Sequence, residues 1–288
     1  MSVGLVGAGP WATMVHAPTL AAGPHTRLAA VWARRPEAGE ALATQHGAVA
    51  ARSLDELFGL CEAVVIAVAP EAQPDIAVQA ARRGKHLLVE KPLATSVDDA
   101  RRVVDAVGEA GVQSLVALTW RYAAGVRAFL EQARLFDAAG GRAWLLSGAL
   151  LDGPFAASPW RQAKGALLDV GPHALDLIDV ALGPVVDVAA RASAGGWVGL
   201  TLGHEGGAVS QVSLSSSTGI DGAAAGVALY GREGELEVDL VKAAGPDTFP
   251  RMAAELHDAV RTGKPHPCGV LRGLHLQELI AKAEAQLS

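Results

Sequence analysis

The sequence predicts an α/β fold in two domains, a doubly wound parallel sheet followed by an α+β domain on a largely antiparallel open sheet. Three observations favour this fold class. An apolar strand, Val3 to Val6, runs directly into a glycine turn and a helix start. Strands and helices then alternate up to residue 118, whereas after residue 120 several strands follow one another without intervening helices.

The elements of the first domain each have a local signal. Apolar runs predict strands, and apolar residues at helical spacing, opened by serine or closed by glycine, predict helices. The predicted strands are 28–33, 63–68, 85–90 and 112–118. The predicted helices are 36–46, 73–83 and 96–110. This alternation is typical of parallel strands joined by helices.

The second part of the chain has a different pattern. The predicted strands are 143–151, 185–193, 197–202, 209–215, 227–230 and 235–238. The predicted helices are 123–138, 167–182 and 249–261, and the last two would cover one face of a sheet. We therefore divide the chain into residues 1–119 and 120–288.

Composition narrows the class of protein. The 288 residues carry a net charge of −6, mixed along the chain, so no basic surface for nucleic acid is expected. Since no apolar run is long enough to span a bilayer and no signal peptide is evident, we expect a cytoplasmic protein without membrane contact.

The cysteines and histidines indicate no disulfide or metal chemistry. Cys61 and Cys268 lie far apart in the sequence and are predicted to be free thiols. The scattered histidines predict no metal site.

The segment Gly7-Ala8-Gly9-Pro10-Trp11-Ala12 predicts a dinucleotide site. Gly7 allows a tight turn, Gly9 lets a pyrophosphate approach the backbone, and the small Ala12 lets the helix pack on the strand. The motif alone is weak in a chain with 33 glycines. Its place directly after a strand strengthens it, and residues 1–119 are predicted to be a Rossmann domain.

The end of the second strand bears on which nucleotide binds. Nucleotide sites for NAD place a carboxylate there, about 20 residues past the glycines. This chain has Ala33-Arg34-Arg35 instead. Guanidinium groups bind a 2′-phosphate, so NADP is favoured over NAD, although NAD stays possible. The alternative is that both arginines are solvated surface charges.

Another strand delivers Glu90 and Lys91 to its carboxyl end before Pro92. Ligand sites in open α/β sheets lie at that edge. The alternative, a surface ion pair between Glu90 and Lys91, is disfavoured because consecutive strand residues point to opposite faces.

Several motifs together resemble the glucose–fructose oxidoreductase, inositol dehydrogenase and MocA-like oxidoreductases over nearly the whole chain. They are Gly7 to Ala12, His16-Ala17-Pro18, Val68 to Gln73, Glu90-Lys91-Pro92, Trp120-Arg121 and Gly165 to Asp176. The resemblance implies cofactor contacts at the following positions: Gly7, Gly9, Pro10, Trp11, Ala12, Ala33, Arg34, Arg35, Ala69, Pro70, Gln73, Glu90 and Lys91. Gln73 departs from the histidine that many members carry.

The resemblance also implies that Lys91, Asp169 and His173 surround the nicotinamide and the reacting carbon. His173 would take the proton of a substrate hydroxyl, and Lys91 would polarise the oxygen or relay the proton. Asp169 would orient His173 or bind a neighbouring hydroxyl. In a helix Asp169 and His173 would share a face. Pro172 predicts that such a helix is kinked or begins near it.

Other side chains are candidates for the substrate pocket or for packing. Arg121, Trp160 and Arg161 are candidate substrate contacts, since aromatic faces and guanidinium groups suit sugar-like ligands. For His16, a packed histidine that bonds a backbone carbonyl is favoured over a cofactor contact.

These observations predict an NADP-preferring oxidoreductase for a sugar, polyol or related hydroxy or keto compound. Two alternatives stay open, a non-catalytic nucleotide-binding scaffold or sensor and an enzyme that uses a tightly held cofactor for a net non-redox reaction. Residues 120–288 are predicted to bind substrate and to form a homodimer or homotetramer through the open sheet, whose exposed face includes Thr201, Ser210, Ser213 and Ser215.

Overall fold

The computed structural model describes residues 1–287, which form two units. The first unit contains Met1–Ala117 and Phe249–His275, and the second contains Leu118–Thr248 and residues 276–287. Residues 249–275 therefore belong with the first unit, whereas the sequence placed them in the second. The reason lies at Ser114 and Val116. Ser114 Oγ accepts from Val270 N, and Val116 N donates to the carbonyl of Cys268.

A parallel sheet organises the first unit. Its strands are β1 (Ser2–Val6), β2 (Arg27–Trp32), β3 (Val49–Ala50), β4 (Ala63–Ile66), β5 (His86–Val89) and β6 (Ser114–Val116). Their order in the sheet is β3-β2-β1-β4-β5-β6, and every neighbouring pair is parallel. This order places a topological switch point between β1 and β4, where open α/β sheets bind ligands.

Helices connect these strands. They are α1 (Ala17–Ala22), α2 (Pro36–Gln45), α3 (Leu54–Gly59), α4 (Gln73–Arg82) and α5 (Val97–Ala110). Ser96 caps α5 by accepting from Asp99 N, as serine at this position favours. The central strands are almost wholly buried, with Leu5, Val65 and Leu88 at 0–1% exposure, so hydrophobic burial holds the sheet between its helices.

A mixed sheet organises the second unit. Its strands are β7 (Ala138–Ser147), β8 (Val185–Ala192), β9 (Val198–His204), β10 (Val209–Ser215), β11 (Ala223–Gly231) and β12 (Gly234–Asp239). The order is β12-β11-β7-β10-β9-β8, and only the β7–β10 pair is parallel. The largely antiparallel open sheet is therefore confirmed.

The remaining helices are α6 (Ala124–Ala133), α7 (Pro159–Asp169), α8 (Gly171–Leu182), α9 (Leu240–Ala243), α10 (Thr248–Thr262) and α11 (Val270–Glu284). Helix α8 packs against β7, β10 and β11. Alternate residues of the sheet face it, including the buried Leu200, Val212 and Leu214.

The opposite face of this sheet differs from its prediction at Ser210 and at Ser215. Thr201 is exposed there, but Ser210 is buried on the other face, where its Oγ lies 2.7 Å from His204 Nε2. Because successive strand residues alternate in direction, Ser210 cannot share a face with Ser213. Ser215 is also buried, at 2% exposure. The homo-oligomer through this sheet stays a prediction.

His86, at the start of β5, should make stability depend on pH. Its Nδ1 accepts from Gln113 N at 3.0 Å. Burial, opposed in part by nearby Glu62, lowers the pKa of His86 in the folded protein. The unfolded chain then binds the extra proton, so the stability that His86 contributes is complete above the unfolded pKa of about 6.5 and is lost as pH falls from there through the lower folded pKa.

Substitution His86→Asn keeps an acceptor that does not titrate. We expect the melting temperature of the wild type to fall more between pH 8 and pH 5.5 than that of His86→Asn, as measured by differential scanning fluorimetry. Equal falls in the two proteins would show that His86 does not carry this dependence.

Candidate active site

The loop after β1 requires glycine at its first position. Gly7 has a φ of +124°, and a Cβ there would lie 2.2 Å from the carbonyl oxygen of Ala67. L side chains rarely adopt that φ. Gly7 N donates to the carbonyl of Trp32 at 2.8 Å, and Ala67 N donates to that of Val6 at 2.8 Å. The ends of β1, β2 and β4 therefore meet at this loop.

The rest of the loop leaves its backbone accessible. Among the described residues, no atom outside the immediate chain neighbours lies within 4 Å of a Cβ built at Gly9. One turn of π-helix (Ala12–His16) follows, closed by the bond from Ala17 N to the carbonyl of Ala12. Ala12 is fully buried, so it packs against the fold as predicted for a small residue. The loop can hold a pyrophosphate against backbone N–H groups.

Pro10 and Trp11 flank the start of this helical turn. Pro10 is exposed. Trp11 is half-buried and makes an edge-to-face contact with Phe249, with ring centroids 5.8 Å apart and planes at 79°. This packing holds the indole ring beside the loop. From the sequence we expected Trp11 to contact the cofactor only.

Arg34 and Arg35 lie between β2 and α2, next to Ala33. Both arginines are exposed, and within residues 1–287 neither has a hydrogen-bond or ion-pair partner for its guanidinium group. The carbonyl of Arg35 accepts from Gly39 N in the first turn of α2. Two solvated cations therefore stand beyond the carboxyl end of β2, at the edge that carries the glycine loop.

The segment after β4 contributes a turn to the same edge. Ala69 is exposed and its carbonyl accepts from Ala72 N at 2.9 Å, which closes the turn. Pro70 is buried. Gln73 begins α4 and has 0% exposed surface, so its side chain packs inside the fold and offers no surface to a ligand.

Lys91 follows β5 at this edge and is half-buried. Its neighbour Glu90 is 8% exposed, and Glu90 Oε1 lies 2.7 Å from His16 Nε2. The prediction that His16 bonds a backbone carbonyl is therefore wrong, since a carboxylate takes that place. Spacing alone could not reveal this pair, because the two residues are 74 positions apart in the chain.

In the second unit, a kink separates Trp160 and Arg161 from Asp169. Gly165, inside α7, has φ +67° and ψ −166°, which breaks the helix there. Arg161 Nε donates to Asp169 Oδ2 at 3.1 Å. The guanidinium carbon also lies 4.4 Å from the ring centroid of Trp160 and 4.7 Å from that of Phe155. The Arg161 guanidinium group therefore contacts two aromatic rings as well as the Asp169 carboxylate.

A second ion pair in the same unit joins Arg121 to Asp176. Arg121 Nη1 lies 3.1 Å from Asp176 Oδ1, and the Asp176 side chain is 2% exposed. Sequence reasoning gave Asp176 no role, although its spacing from His173 places both within one turn of a helix. Both candidate substrate arginines thus have carboxylate partners, and their contact with a substrate stays a prediction.

His173 is the third residue of α8 and is 8% exposed. Asp169 ends α7, and Val170 separates the two helices. The two residues therefore do not share one continuous helix, and the prediction that a helix is kinked or begins near Pro172 is confirmed. Pro172 lies in the first turn of α8, where a helix tolerates the missing backbone N–H of proline.

The predicted cofactor residues thus gather at the carboxyl ends of β1, β2, β4 and β5, whereas Asp169 and His173 belong to the second unit. Within residues 1–287, no group of three or more His, Cys, Asp or Glu side chains is arranged to hold a metal ion. None of the helices over the same residues is long and apolar enough to cross a membrane.

Comparison with known proteins agrees with this geometry. Residues 1–118 match the profile of the oxidoreductase family with an NAD-binding Rossmann fold. A dTDP-3,4-didehydro-2,6-dideoxy-alpha-D-glucose 3-reductase of Streptomyces violaceoruber is 30% identical over 192 residues, which are 64% of this chain and 55% of the relative. The matches span only 22% to 55% of the length of the first curated relatives.

Solved structures match over almost the whole chain. GenD2 from gentamicin A biosynthesis, solved in complex with NAD, is 25% identical with a TM-score of 0.86, covering 99% of this chain and 93% of that one. A levoglucosan dehydrogenase, solved with NADH and levoglucosan, is 18% identical with a TM-score of 0.89, covering 99% and 96%. The second likeness is one of fold.

Proposed function

We propose that the chain is an NAD(P)-dependent oxidoreductase acting on a hydroxyl or keto group of a sugar, polyol or related compound, because residues 1–118 match the profile of this family of oxidoreductases. One observation carries the proposal. The loop that only glycine permits and the loop that holds Lys91 lie at the same edge of one parallel sheet, on either side of its switch point.

The residues at this edge fit a nicotinamide dinucleotide. The loop from Gly7 to Ala12 offers backbone N–H groups for the pyrophosphate, and the turn at Ala69 continues the same edge. When bound, the cofactor supplies a hydride acceptor or donor. The chain's own residues must then bind the substrate and move its hydroxyl proton.

Two side chains suit that proton chemistry. His173, in the first turn of α8, can accept the proton of a substrate hydroxyl on an imidazole nitrogen. Lys91 can donate a hydrogen bond from Nζ to the reacting oxygen and so stabilise the charge that develops there. Asp169, already held by Arg161, can fix the orientation of a neighbouring hydroxyl or of His173.

We also propose that the chain prefers NADP. The exposed arginines Arg34 and Arg35 support this, because each charge-assisted hydrogen bond to a phosphate contributes about 1.5–3 kcal/mol. We expect Arg34→Gln/Arg35→Gln to weaken NADPH binding by about 10- to 100-fold while NADH binding stays nearly constant, as measured by the change in nucleotide fluorescence.

Arg82→Gln is the control for removing an exposed arginine charge elsewhere on the first unit. Arg82 is exposed at the last residue of α4, near the amino end of β5 and away from the nucleotide edge. An unchanged NADPH affinity in the double variant, or tighter binding of NADH by the wild type, contradicts the preference.

Activity can be sought by following absorbance at 340 nm with NADP and a panel of sugars and polyols. Growth of that absorbance supports a dehydrogenase that releases its cofactor. Conversion of a sugar without net reduction of the nucleotide indicates instead the tightly held cofactor. A nucleotide-bound protein without any conversion favours the scaffold or sensor.

A further inference from the structure

Buried side chains form hydrogen bonds with the backbone on both sides of Lys91. We infer that His16 and Gln73 are positioning residues that fix Lys91 for the reaction. The inference rests on the proposed function for the role of Lys91 itself. It adds two residues, one from the turn after the glycine loop and one from the start of α4.

The first support comes from His16 through Glu90. His16 Nε2 lies 2.7 Å from Glu90 Oε1, and the two side chains are 2% and 11% exposed. A carboxylate only accepts, so Nε2 carries the hydrogen of this bond. The other oxygen, Glu90 Oε2, accepts from Lys91 N at 3.2 Å. His16 therefore orients the carboxylate that holds the Lys91 backbone N–H.

The second support comes from Gln73. Its amide nitrogen Nε2 donates to the carbonyl of Glu90 at 3.1 Å and to the carbonyl of Pro92 at 2.7 Å. An amide NH₂ has two hydrogens, and here one group uses both on the two carbonyls that flank Lys91. Since Gln73 has no exposed surface, water cannot readily replace these bonds.

These two sets of hydrogen bonds restrain the position of the same atom, the Cα of Lys91. The N–H of Lys91 and the carbonyls before and after it have fixed partners within one unit. A lysine side chain has four rotatable bonds, so a displaced Cα spreads the ammonium group over a wide volume. Displacement of a reacting group by about 1 Å can slow a reaction roughly 100-fold. Fixing the Lys91 backbone is therefore a catalytic requirement.

Four variants separate positioning from simple packing. His16→Leu and Gln73→Met remove the donors, whereas His16→Gln keeps a nitrogen donor near the place of Nε2. His204→Leu is the matched control, because His204 is 3% exposed and likewise bonds at 2.7 Å, but to Gly183 and Ser210 in the other unit.

The first readout needs no substrate. Lysine amines are labelled with acetic anhydride at trace concentration, and the rate at each lysine is read by mass spectrometry. We expect His16→Leu and Gln73→Met to change the rate at Lys91 severalfold, and His16→Gln to restore it. Lys85 is the internal control at the other end of the same strand, where its Nζ donates to the carbonyl of Cys61.

The second readout is turnover on a substrate found in the screen. We expect kcat to fall about 10- to 100-fold in His16→Leu and Gln73→Met, with NADPH affinity unchanged, and to recover in His16→Gln. An unchanged Lys91 labelling rate in both donor-removing variants overturns the inference, even if the enzyme is active. An inactive wild type in which the Lys91 rate still responds overturns the proposed function and leaves the positioning intact. If His16→Leu does not fold, Gln73→Met decides alone.

Discussion

Replacing Lys91 with methionine should lower turnover by about 100- to 10,000-fold, the range that positioned proton-transfer groups contribute. Methionine keeps an unbranched apolar side chain of similar length and removes only the ammonium group. The Glu90 carboxylate and the Gln73 amide bind the backbone at this position, so the loop should keep its conformation. NADPH affinity should therefore change little, and kcat should carry the loss.

The measurement is steady-state kinetics at saturating nucleotide, with His173→Ala as a second variant that should lose turnover to a similar extent. Lys85→Met is the control, since Lys85 precedes the same strand at its opposite end. Full turnover in either Lys91→Met or His173→Ala would contradict the proposed roles of these residues.

Replacing Arg121 with methionine should destabilise the second unit by about 3–5 kcal/mol. Asp176 is 2% exposed and Arg121 is 16% exposed, so this ion pair lies largely out of water. Removing the guanidinium takes one partner from the poorly solvated Asp176 carboxylate, so less of the desolvation penalty of that carboxylate is offset. Chemical denaturation followed by circular dichroism measures the loss.

The double variant Arg121→Met/Asp176→Asn should recover part of this stability, because it also removes the carboxylate charge that has lost Arg121. The surface pair of Arg134 and Glu131, each 67% exposed, gives a control. Arg134→Met should change stability by less than about 1 kcal/mol. A loss in Arg121→Met no larger than in Arg134→Met would show that the buried pair is not important for stability.

The sequence predicted the parallel sheet well, because local signals and tertiary structure agree there. The predicted strand 63–68 is observed as Ala63–Ile66, and the predicted helix 96–110 as Val97–Ala110 with Ser96 as its cap. Fully apolar strands between amphipathic helices have few alternatives.

The second unit was harder to predict because its boundaries depend on packing. The predicted helix 123–138 ends at Ala133, and β7 begins at Ala138. The predicted strand 143–151 accordingly begins earlier, since β7 must pair with both β10 and β11. Glycines 140 and 141 lower the strand propensity of that segment, so tertiary pairing outweighs it.

The candidate site was predictable in its residue types but not in its partners. The glycine loop, the arginines after β2 and Lys91 follow from local motifs. The pairs His16–Glu90, Arg161–Asp169 and Arg121–Asp176 join distant or kinked segments. Pro172 predicted a kink or a helix start near it, and the break at Val170 does give Asp169 and His173 separate helices, but spacing did not reveal their partners.

The central claim is that this chain binds a nicotinamide dinucleotide at the carboxyl edge of its parallel sheet. The most direct test is calorimetric titration of folded, nucleotide-free protein with NADPH and, separately, with NADH. We expect one site per chain that binds both nucleotides and binds NADPH more tightly. Failure of the protein to bind either nucleotide would contradict it.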